Sequence, residues 1–306
     1  MSETADRKLD ISVIIPSYNS TDELHRCLHA LANQKTTCHY EVIVVDSSDK
    51  PDEIDKLKTL PGEVRVVHLD GRTYPGVARN IGVQYARGKI IAFTDADCVV
   101  DRDWIENIYK SSKKNYNIIF GGSIRNGHPG NLIATAEYLM EFGEFLPERK
   151  SGETYLVPSC NMAMKKEVFL DVGGFSSLIT SEDVLFCHMA SQKGYRIYFV
   201  ADMQITHFNR TDLEVMLHKQ KELGLGASLL RFDYPVAGAF LIKLPVLSLL
   251  IPPIRIFTVV RKVLRIDLKY LPVLIKTFPY WFLGIIWFSY GFYCGHKVRN
   301  NRKVDY

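Results

Sequence analysis

The chain has 306 residues, of which 47% are hydrophobic and 24% are charged. This length allows one large α/β domain with an appendage or two modest domains, and this composition excludes a chain that is disordered throughout. The six cysteines form no Cys-x-x-Cys pair. Their spacing therefore argues against a zinc site and a disulfide framework, and it fits a reducing compartment.

Basic charge is concentrated towards the C-terminus. Residues 234–306 hold 11 Lys and Arg against 2 Asp and Glu, whereas residues 1–233 hold 27 basic and 32 acidic residues. Because the basic excess lies beside the most hydrophobic part of the chain, it favours an anionic membrane surface over nucleic acid as the partner.

The first hundred residues alternate short apolar runs with helical patterns. Strands are predicted at 11–15, 41–45, 63–69 and 89–93, and helices around 24–31, at 52–60 and at 76–86. Ser20 and Glu23 have the spacing of a capping box at the start of the first helix. This alternation implies βαβ units and a mostly parallel sheet, whose ligands bind at the carboxyl ends of the strands.

The next hundred residues are less regular. Helices are predicted at 131–145, 165–170 and 183–193, and strands at 155–158 and 196–200.

Two apolar segments follow, at 234–254 and 277–295. The second holds no charged residue over its 19 positions, and that length can cross a bilayer. Between them, residues 255–270 are basic and amphipathic, which is typical of a helix on a membrane surface. If both apolar segments spanned the membrane, this basic linker would lie on the side opposite the N-terminal domain, which conflicts with the positive-inside tendency. A re-entrant or monotopic hairpin avoids that conflict and stays an alternative. A buried helical subdomain or an oligomer interface is the alternative to membrane binding.

Two acids, Asp95 and Asp97, come directly after the buried run Ile90–Phe93. Carboxylates at positions i and i+2 can reach one divalent ion if the chain turns there. Such oxygen ligands suit Mg²⁺ or Mn²⁺ and leave coordination positions for the phosphates of a departing diphosphate. Acids near strand ends also cap helices or face solvent, so the triplet Asp-Ala-Asp at 95–97 is by itself weak evidence for a metal site.

Together the motifs resemble the glycosyltransferase A (GT-A) fold, and specifically the family 2 group of inverting nucleotide-sugar transferases. They are Pro-Ser-Tyr-Asn at 16–19, Asp46, Gly-x-Ala-Arg-Asn-x-Gly at 76–82, Gly88, Asp-Ala-Asp at 95–97, Gly173-Gly174-Phe175, Glu182-Asp183 and His207. The resemblance covers roughly residues 10–210. It implies an α/β GT-A domain at 11–233, with a nucleotide-sugar-binding half at 11–100 and an acceptor half at 101–233. A tail at 1–10 precedes this domain, and a hydrophobic, membrane-associated helical region at 234–306 follows it.

The resemblance assigns residues to the donor site. Asp97 is expected to bind the metal, and Asp95 to face the sugar and ribose and to assist with the metal. His207 is a candidate further metal ligand, although an isolated histidine is more often structural.

The remaining donor-site residues surround the nucleotide in this resemblance. Asp46 is expected to contact the nucleoside, and Arg79 to steady the nucleotide or its phosphates. A capping or surface role is the alternative for Arg79 and its neighbour Asn80. The others expected to line the donor site are Pro16 and Tyr18 beside the base, Asn19, and Ala96 between the two acids.

Inverting transfer requires a base near the acceptor hydroxyl. By the resemblance Asp183 is that base, and Glu182 is its neighbour in the acceptor pocket. The alternative is an acidic first turn of the helix at 183–193, which the helix dipole favours. Ser159, Cys160 and Asn161 are expected to line the acceptor side.

The sequence departs from the family pattern at three places. Asp46-Ser47-Ser48-Asp49 stands where the family often has Asp-Asp-Gly-Ser or Asp-Asn-Gly-Ser, which leaves the identity of the nucleobase open. Ser176 replaces the usual acid after Gly-Gly-Phe. No Gln-x-x-Arg-Trp is present, because Gln220 is followed by Leu223 and Gly224. Processive synthases share that motif, so single or limited sugar addition is expected.

The sequence therefore predicts a metal-dependent inverting glycosyltransferase that uses a nucleotide-diphosphate sugar. It would act at the membrane, with its catalytic domain on the cytoplasmic face, on a glycan or lipid-linked acceptor in cell-surface polysaccharide or glycoconjugate synthesis. One alternative is a polyprenyl-phosphate sugar synthase, whose acceptor phosphate hardly needs a base. The others are a sugar-phosphate nucleotidyltransferase, disfavoured because no glycine-rich loop follows the first strand, and a membrane-tethered binding protein that has lost catalysis.

Overall fold

The computed structural model describes residues 9–50, 64–114 and 118–302, with side chains described up to residue 298. The helix predicted at 52–60 lies outside these residues. The described chain divides into two compact units. The first lies within Met1–Arg125, Lys150–Ser177 and Glu182–His207, and the second within Asn126–Arg149, Leu178–Ser181 and Phe208–Tyr306.

A mixed sheet is the framework of the first unit. Its described strands are β1 Ile11–Ser17, β2 Tyr40–Asp46, β3 Val64–His68, β4 Ile90–Thr94, β5 Cys98–Val100, β6 Ile118–Asn126, β7 Gly152–Thr154, β8 Asn161–Lys165 and β9 Arg196–His207. Their order is β3-β2-β1-β4-β8-β6-β9-β5, and β7 pairs with β9.

In the described part of the sheet, β1 pairs in parallel with β2 and with β4, and β2 pairs in parallel with β3. In the register, Ile14 lies between Ile43 on β2 and Phe93 on β4, and all three side chains are fully buried. Strands that are covered on both faces have continuous apolar sequences, which is why β1, β2 and β4 could be predicted from the sequence. The pairs β4–β8, β6–β8, β5–β9 and β7–β9 are antiparallel, so the expectation of a mostly parallel sheet holds for the first half only.

The described α-helices alternate with these strands and then dominate the C-terminal part. They are α1 Thr21–Ala32, α2 Pro75–Tyr85, α3 Trp104–Lys114, α4 Leu132–Phe142, α5 Lys166–Val172, α6 Glu182–Gln192, α7 Leu213–Asp233, α8 Ile251–Ile266 and α9 Leu271–Arg302.

Two local predictions are wrong. The capping box at the start of α1 is not formed, because the Ser20 side chain makes no capping bond and its Oγ lies 3.2 Å from the hydroxyl of Ser17. No strand covers 155–158, since β7 ends at Thr154 and β8 begins at Asn161. Pro158 in this connection has no N–H to donate to a neighbouring strand.

In the second unit, α9 packs along α7 and α4 through small residues. An added Cβ at Gly284 would lie 2.6 Å from Cε of Met140 on α4, and one at Gly291 would meet the backbone of Lys221 on α7. One face of α9 is accordingly buried, including Trp281 and Ile285. The opposite face exposes Ile275, Phe278, Trp287 and Tyr290, among others.

Among the described residues, one helix is long and apolar enough to cross a membrane. The candidate span covers Leu268–Val298, which includes most of α9, and an 18-residue window within it has a mean hydropathy of 1.5. The other predicted apolar segment, 234–254, does not form a continuous helix. It contains the short 3₁₀ helices Ala239–Ile242 and Pro245–Leu250 before α8 begins.

Candidate active site

The chain turns directly after β4, as the two acids require. The backbone N–H of Cys98 donates to the carbonyl of Asp95 at 3.1 Å, which closes a turn that contains Ala96 and Asp97. Ala96 is buried, whereas the Asp95 and Asp97 side chains are 28% and 33% exposed. Both carboxylates therefore project from one tight turn at the carboxyl end of β4.

The guanidinium of Arg79 joins this turn to the Glu-Asp motif. Its Nη2 donates to Oδ1 of Asp95 at 2.5 Å, and its Nη1 donates to Oε1 of Glu182 at 2.8 Å. Burial would lower the pKa of Arg79, but the two carboxylates outweigh burial and raise it. The residue is 1% exposed, so the surface role that the sequence left open is excluded.

Close packing of α2 explains why Arg79 can be buried. The helix starts at Pro75, whose missing N–H costs nothing in a first turn. An added Cβ at Gly76 would lie 2.9 Å from the carbonyl of Ser176 and 3.0 Å from Cγ of Glu182. Only glycine permits this approach of α2 to the start of α6.

Asn80 fixes the same helix to the loop after α5. Its Nδ2 donates to the carbonyl of Phe175 at 2.7 Å, and its Oδ1 accepts from the Phe175 N–H at 2.9 Å. Gly173 and Gly174 in this loop have φ of 102° and 76°, a backbone region that glycine adopts without strain. The Gly-Gly-Phe and Gly-x-Ala-Arg-Asn motifs are therefore one packed structure.

Asp183 lies beside this cluster in the first turn of α6. Its Oδ1 accepts from the N–H of Val184 at 2.8 Å, and its Oδ2 accepts from the N–H of Ser159 at 3.3 Å. Burial and the neighbouring charge of Glu182 raise the pKa of Asp183 to about 7. A carboxyl group with this pKa can accept a proton near neutral pH.

Asp97 and His207 meet because β5 pairs with β9. Cys98 on β5 lies opposite His207 in the antiparallel register. Nε2 of His207 lies 3.5 Å from Oδ1 of Asp97, and these two atoms and the Cys98 sulfur lie within 4.8 Å of one another. Burial raises the pKa of the Cys98 thiol well above its usual value, so the carboxylate and the imidazole are the better ligands.

The donor set fits a divalent ion. Oxygen and imidazole nitrogen ligands suit Mn²⁺ and also allow Mg²⁺. Asp95 is not part of the group formed by Asp97, Cys98 and His207, and Oδ1 of Asp95 is bound to Arg79. Its contribution as a metal ligand therefore stays a prediction.

Asp46 is fully buried at the carboxyl end of β2. Its Oδ1 accepts from the Ser48 hydroxyl at 2.7 Å, and its Oδ2 lies 2.9 Å from Nδ1 of His68. The Ser48 Oγ in turn accepts from the N–H of Asn19 at 2.7 Å. Through Ser48, Asp46 is therefore linked to Asn19 in the loop after β1. A direct contact between Asp46 and a nucleoside stays a prediction.

That loop is tied to the Asp-Ser-Ser-Asp run at 46–49. Asn19, with the positive φ of 47°, exchanges two hydrogen bonds with Asp49, at 2.9 and 3.1 Å. The Tyr18 hydroxyl donates to Asp49 at 3.2 Å, and the Arg72 guanidinium lies 4.9 Å from the centre of the Tyr18 ring. Pro16 lies on β1 directly before this loop. The expected base-binding residues therefore lie together.

Sequence reasoning missed several residues of this cluster: Ser48, Asp49, His68 and Arg72. The departure at 46–49 was the available signal, because it placed two hydroxyls and a second acid after β2. The expectation for Asn161 is wrong. Its side chain is fully buried and is bonded to Trp104 and to the carbonyls of Ser123 and Met203, so it supports the sheet and does not line an acceptor site.

Comparison with known sequences identifies relatives of the chain. Residues 12–173 match the family model described as "Glycosyl transferase family 2". The chain is 30% identical over 225 residues to glycosyltransferase AglE of Haloferax volcanii, covering 71% of this chain and 72% of that protein. It is 32% identical over 208 residues to glycosyltransferase GlyG of Streptococcus pneumoniae, covering 63% of this chain and 68% of that protein.

Solved structures show the same fold. Staphylococcus aureus TarS 1–349 in complex with UDP-GlcNAc aligns with a TM-score of 0.53 at 18% identity, covering 96% of this chain and 92% of TarS 1–349. GalNAc-T7 with UDP, GalNAc and Mn²⁺ aligns with a TM-score of 0.55 at 17% identity, covering 72% of this chain and 48% of GalNAc-T7. The GT-A fold expected from the sequence is confirmed.

Proposed function

Because the chain belongs to glycosyl transferase family 2 and is a glycosyltransferase, we propose that it moves a sugar, with inversion, from a nucleoside-diphosphate donor to a hydroxyl of a glycan or lipid-linked acceptor. The transfer would be metal-dependent and limited to one or a few sugars. Such a reaction belongs to the synthesis of a cell-surface polysaccharide or glycoconjugate.

The observation that carries this proposal is the bridge from Asp95 through Arg79 to Glu182. The resemblance places the donor at the acids after β4, and acceptor chemistry requires a base near the attacking hydroxyl. One buried cation holds both acidic motifs at hydrogen-bond distance, with Asp183 next along the chain. A surface cluster of solvated acids would have no such buried bridge.

Asp97 and His207 would hold a divalent ion, and Asp95 could add its second carboxylate oxygen. When bound, this ion neutralises charge on the departing diphosphate. GalNAc-T7 was solved with UDP and Mn²⁺, which supports Mn²⁺ as the first ion to test. The loops that contain Tyr18, Asn19 and Asp46 would support the nucleoside, with Arg79 acting on the donor side through Asp95.

Asp183 would take the proton from the acceptor hydroxyl as the oxygen attacks the anomeric carbon. The bond from that carbon to the donor phosphate oxygen breaks, and its electron pair leaves with the diphosphate. The pKa of about 7 leaves Asp183 largely ionised at slightly alkaline pH and basic enough to accept the proton. An acceptor phosphate would not need this base, so a polyprenyl phosphate acceptor is the alternative that a loss of the base would leave active.

Membrane association would involve the apolar helix Leu268–Val298. The free cysteines of the described chain fit a catalytic domain on the reducing, cytoplasmic side.

The test uses the full chain in non-ionic detergent, a panel of radiolabelled nucleotide sugars, and a lipid and glycan extract of cells as acceptor. We expect Mn²⁺-dependent transfer from one donor. Asp183→Asn should lose transfer by at least about 10²-fold, which is the usual contribution of a general base, and should retain donor binding.

Asp202→Asn is the matched control, because Asp202 is an exposed aspartate on β9 of the same unit. It should transfer at the wild-type rate. Near-normal transfer by Asp183→Asn would remove the assigned base and would favour a phosphate acceptor.

A further inference from the structure

Two arginines in the second unit form no ion pair within 4.0 Å with any carboxylate of the described residues. Arg231 on α7 donates from Nε to the carbonyl of Ala237 at 2.9 Å and from Nη1 to the carbonyl of Ala227 at 2.8 Å. Arg255 on α8 is half-buried, its Nε has no hydrogen-bond partner, and its guanidinium makes no ion pair with any described carboxylate. Arg231 likewise pairs with none of the described acids.

Two other cations of this unit, Arg210 and Lys262, are paired with carboxylates. Arg210 lies 3.0 Å from Glu137, and Lys262 lies 2.6 Å from Glu144. A partly buried cation normally needs such a partner, because removal from water costs free energy that a counter-charge offsets. The unpaired guanidiniums are therefore suited to a negative charge from outside the chain.

Aromatic rings fix both guanidiniums in place. The Arg255 Cζ lies 3.7 Å from the centre of the Phe288 ring, and the Arg231 Cζ lies 6.0 Å from that of Phe292. These phenylalanines are one turn apart on α9, so the two cations lie on adjacent turns. The two guanidiniums are close enough for the positive charge of Arg231 to repel that of Arg255. Burial and this repulsion exceed the opposing effect of Glu141 and lower the pKa of Arg255 to about 10, which leaves it charged at neutral pH.

An exposed apolar surface adjoins the arginine pair in the chain. It consists of the side chains Phe240, Leu244, Val246, Leu249, Leu250, Ile254 and Phe257, which are 41–74% exposed. Ile254 and Phe257 flank Arg255 on α8, and the others precede it. This part of the second unit therefore combines two neighbouring cations with exposed apolar side chains. These two features recognise a phosphate attached to a hydrocarbon chain.

We propose that Arg231 and Arg255 bind the phosphate of a membrane lipid whose hydrocarbon part lies on the apolar surface at 240–257. Planar guanidinium groups bind phosphate oxygens in pairs, as a fork that lysine cannot supply. This lipid would hold the chain at the membrane where, in the proposed function on which this step rests, the acceptor is met. The attacking group remains a hydroxyl of the acceptor.

The test measures binding of a fluorescent phosphatidic acid or phosphatidylglycerol to the full chain in non-ionic detergent micelles. We expect the wild type to bind the phosphate monoester about tenfold more tightly than the diester. Arg255→Gln should remove most of this preference. Arg255→Lys, which keeps a cation over Phe288, should remove the preference with an unchanged unfolding temperature.

Arg261→Gln is the matched control, because Arg261 is an exposed arginine on the same helix. Loss of its charge should weaken binding of both lipids equally, by about fivefold or less. Equal effects of Arg255→Gln and Arg261→Gln on the two lipids would overturn the proposal, since general surface charge would then explain binding.

Competition with inorganic phosphate distinguishes a lipid phosphate from a soluble phosphate as the ligand. At the concentration of lipid that saturates the site, free phosphate should not displace phosphatidic acid, because it lacks the apolar contacts. Equal displacement by free phosphate would identify a soluble anion as the ligand and contradict a lipid site. The lipid-binding assay contains no sugar donor, so its result does not depend on whether the chain transfers sugar. Conversely, a failure to bind lipid would leave binding of the nucleotide donor unchanged.

Discussion

The guanidinium of Arg79 faces two carboxylates in a place that water hardly reaches, since the residue is 1% exposed. The two carboxylates belong to motifs for which the sequence predicts different tasks, Asp95 in the donor site and Glu182 on the acceptor side. The sequence assigned Arg79 to the nucleotide, and that contact stays a prediction. The geometry supports a positioning role, in which Arg79 acts through the acids that it holds.

Arg79→Lys should separate charge from geometry. An ammonium group retains the charge but cannot bond two carboxylates in the planar arrangement of a guanidinium. We expect transfer to fall by about 10²-fold, because small displacements of catalytic groups have effects of that size. The measurement is kcat with the preferred donor. Arg87→Lys, which alters another arginine that pairs with a buried glutamate, should remain active.

The pH profile reports on Asp183. Its pKa is raised to about 7, so the base is protonated below that pH and ionised above it. The kcat/KM for the acceptor should therefore rise tenfold per pH unit up to about pH 7 and then level off. Glu182→Gln removes a charge that raises this pKa, so its inflection should move to lower pH. An inflection at the same pH in both proteins would contradict the assignment.

At the scale of elements, the site depends on how α2 is attached. Its N-terminal end packs closely on α6 through Gly76, and its centre is tied to the loop after α5 through Asn80. These attachments connect sequence motifs that lie about a hundred residues apart.

Asn80→Ala should lower the free energy of unfolding by about 1–3 kcal/mol, because two hydrogen bonds to Phe175 are lost and its backbone groups are left unpaired. Urea denaturation measures this change. Gln84→Ala is the matched control, since Gln84 is exposed one turn further along α2. An equal effect of the two substitutions would show that the Asn80 bonds do not hold the loop.

The predictable part of the fold was the part with strong local signals. Strands β1, β2 and β4 are buried on both faces and read as apolar runs, and α1 buries Leu24, Leu28 and Leu31 at helical spacing. The pattern failed for β8, a central strand whose sequence Asn-Met-Ala-Met-Lys has no uniform character. Apolar periodicity also failed to predict α7, which contains Gly224 where the Phe288 backbone approaches and Gly226 where the Thr180 side chain approaches.

The sequence named most residues of the candidate site but did not predict the contacts between them. Asp97 and His207 were both named, yet only the pairing of β5 with β9 brings them to 3.5 Å. The bonds from Arg79 to Asp95 and Glu182 depend on long-range packing that no local pattern encodes. The hydroxyl and acid at Ser48 and Asp49 were noted only as departures, because their partners come from other loops.

At the scale of the whole molecule, the C-terminal region is a packed unit with an exposed apolar face. Its helix α9 is the candidate span, but one of its faces is occupied by α7 and α4. Charged side chains of α7, such as Lys221, lie along this contact. The apolar character of α9 therefore serves internal packing on one face, whereas contact of its exposed face with lipid stays a prediction.

Gly291→Ala should test the internal contact. The added methyl group would meet the backbone of Lys221, and such overpacking costs about 1–3 kcal/mol. We expect a lower unfolding temperature in detergent. Gly130→Ala is the control in the same unit, because an added Cβ there meets nothing within 4 Å. Equal unfolding temperatures of the two variants would contradict tight packing of α9 on α7.

The central claim is that the acids after β4 bind a nucleoside diphosphate together with a divalent ion, while Asp183 serves only the transfer step. Thermal unfolding of the full chain with a panel of nucleoside diphosphates, with Mn²⁺ or with EDTA, tests it most directly. At a hundredfold excess over Kd, one nucleotide with Mn²⁺ should raise the unfolding temperature by about 5–10 °C in the wild type and in Asp183→Asn. Asp97→Asn should show no such rise, and a rise in Asp97→Asn or in EDTA equal to that of the wild type with Mn²⁺ would contradict the claim.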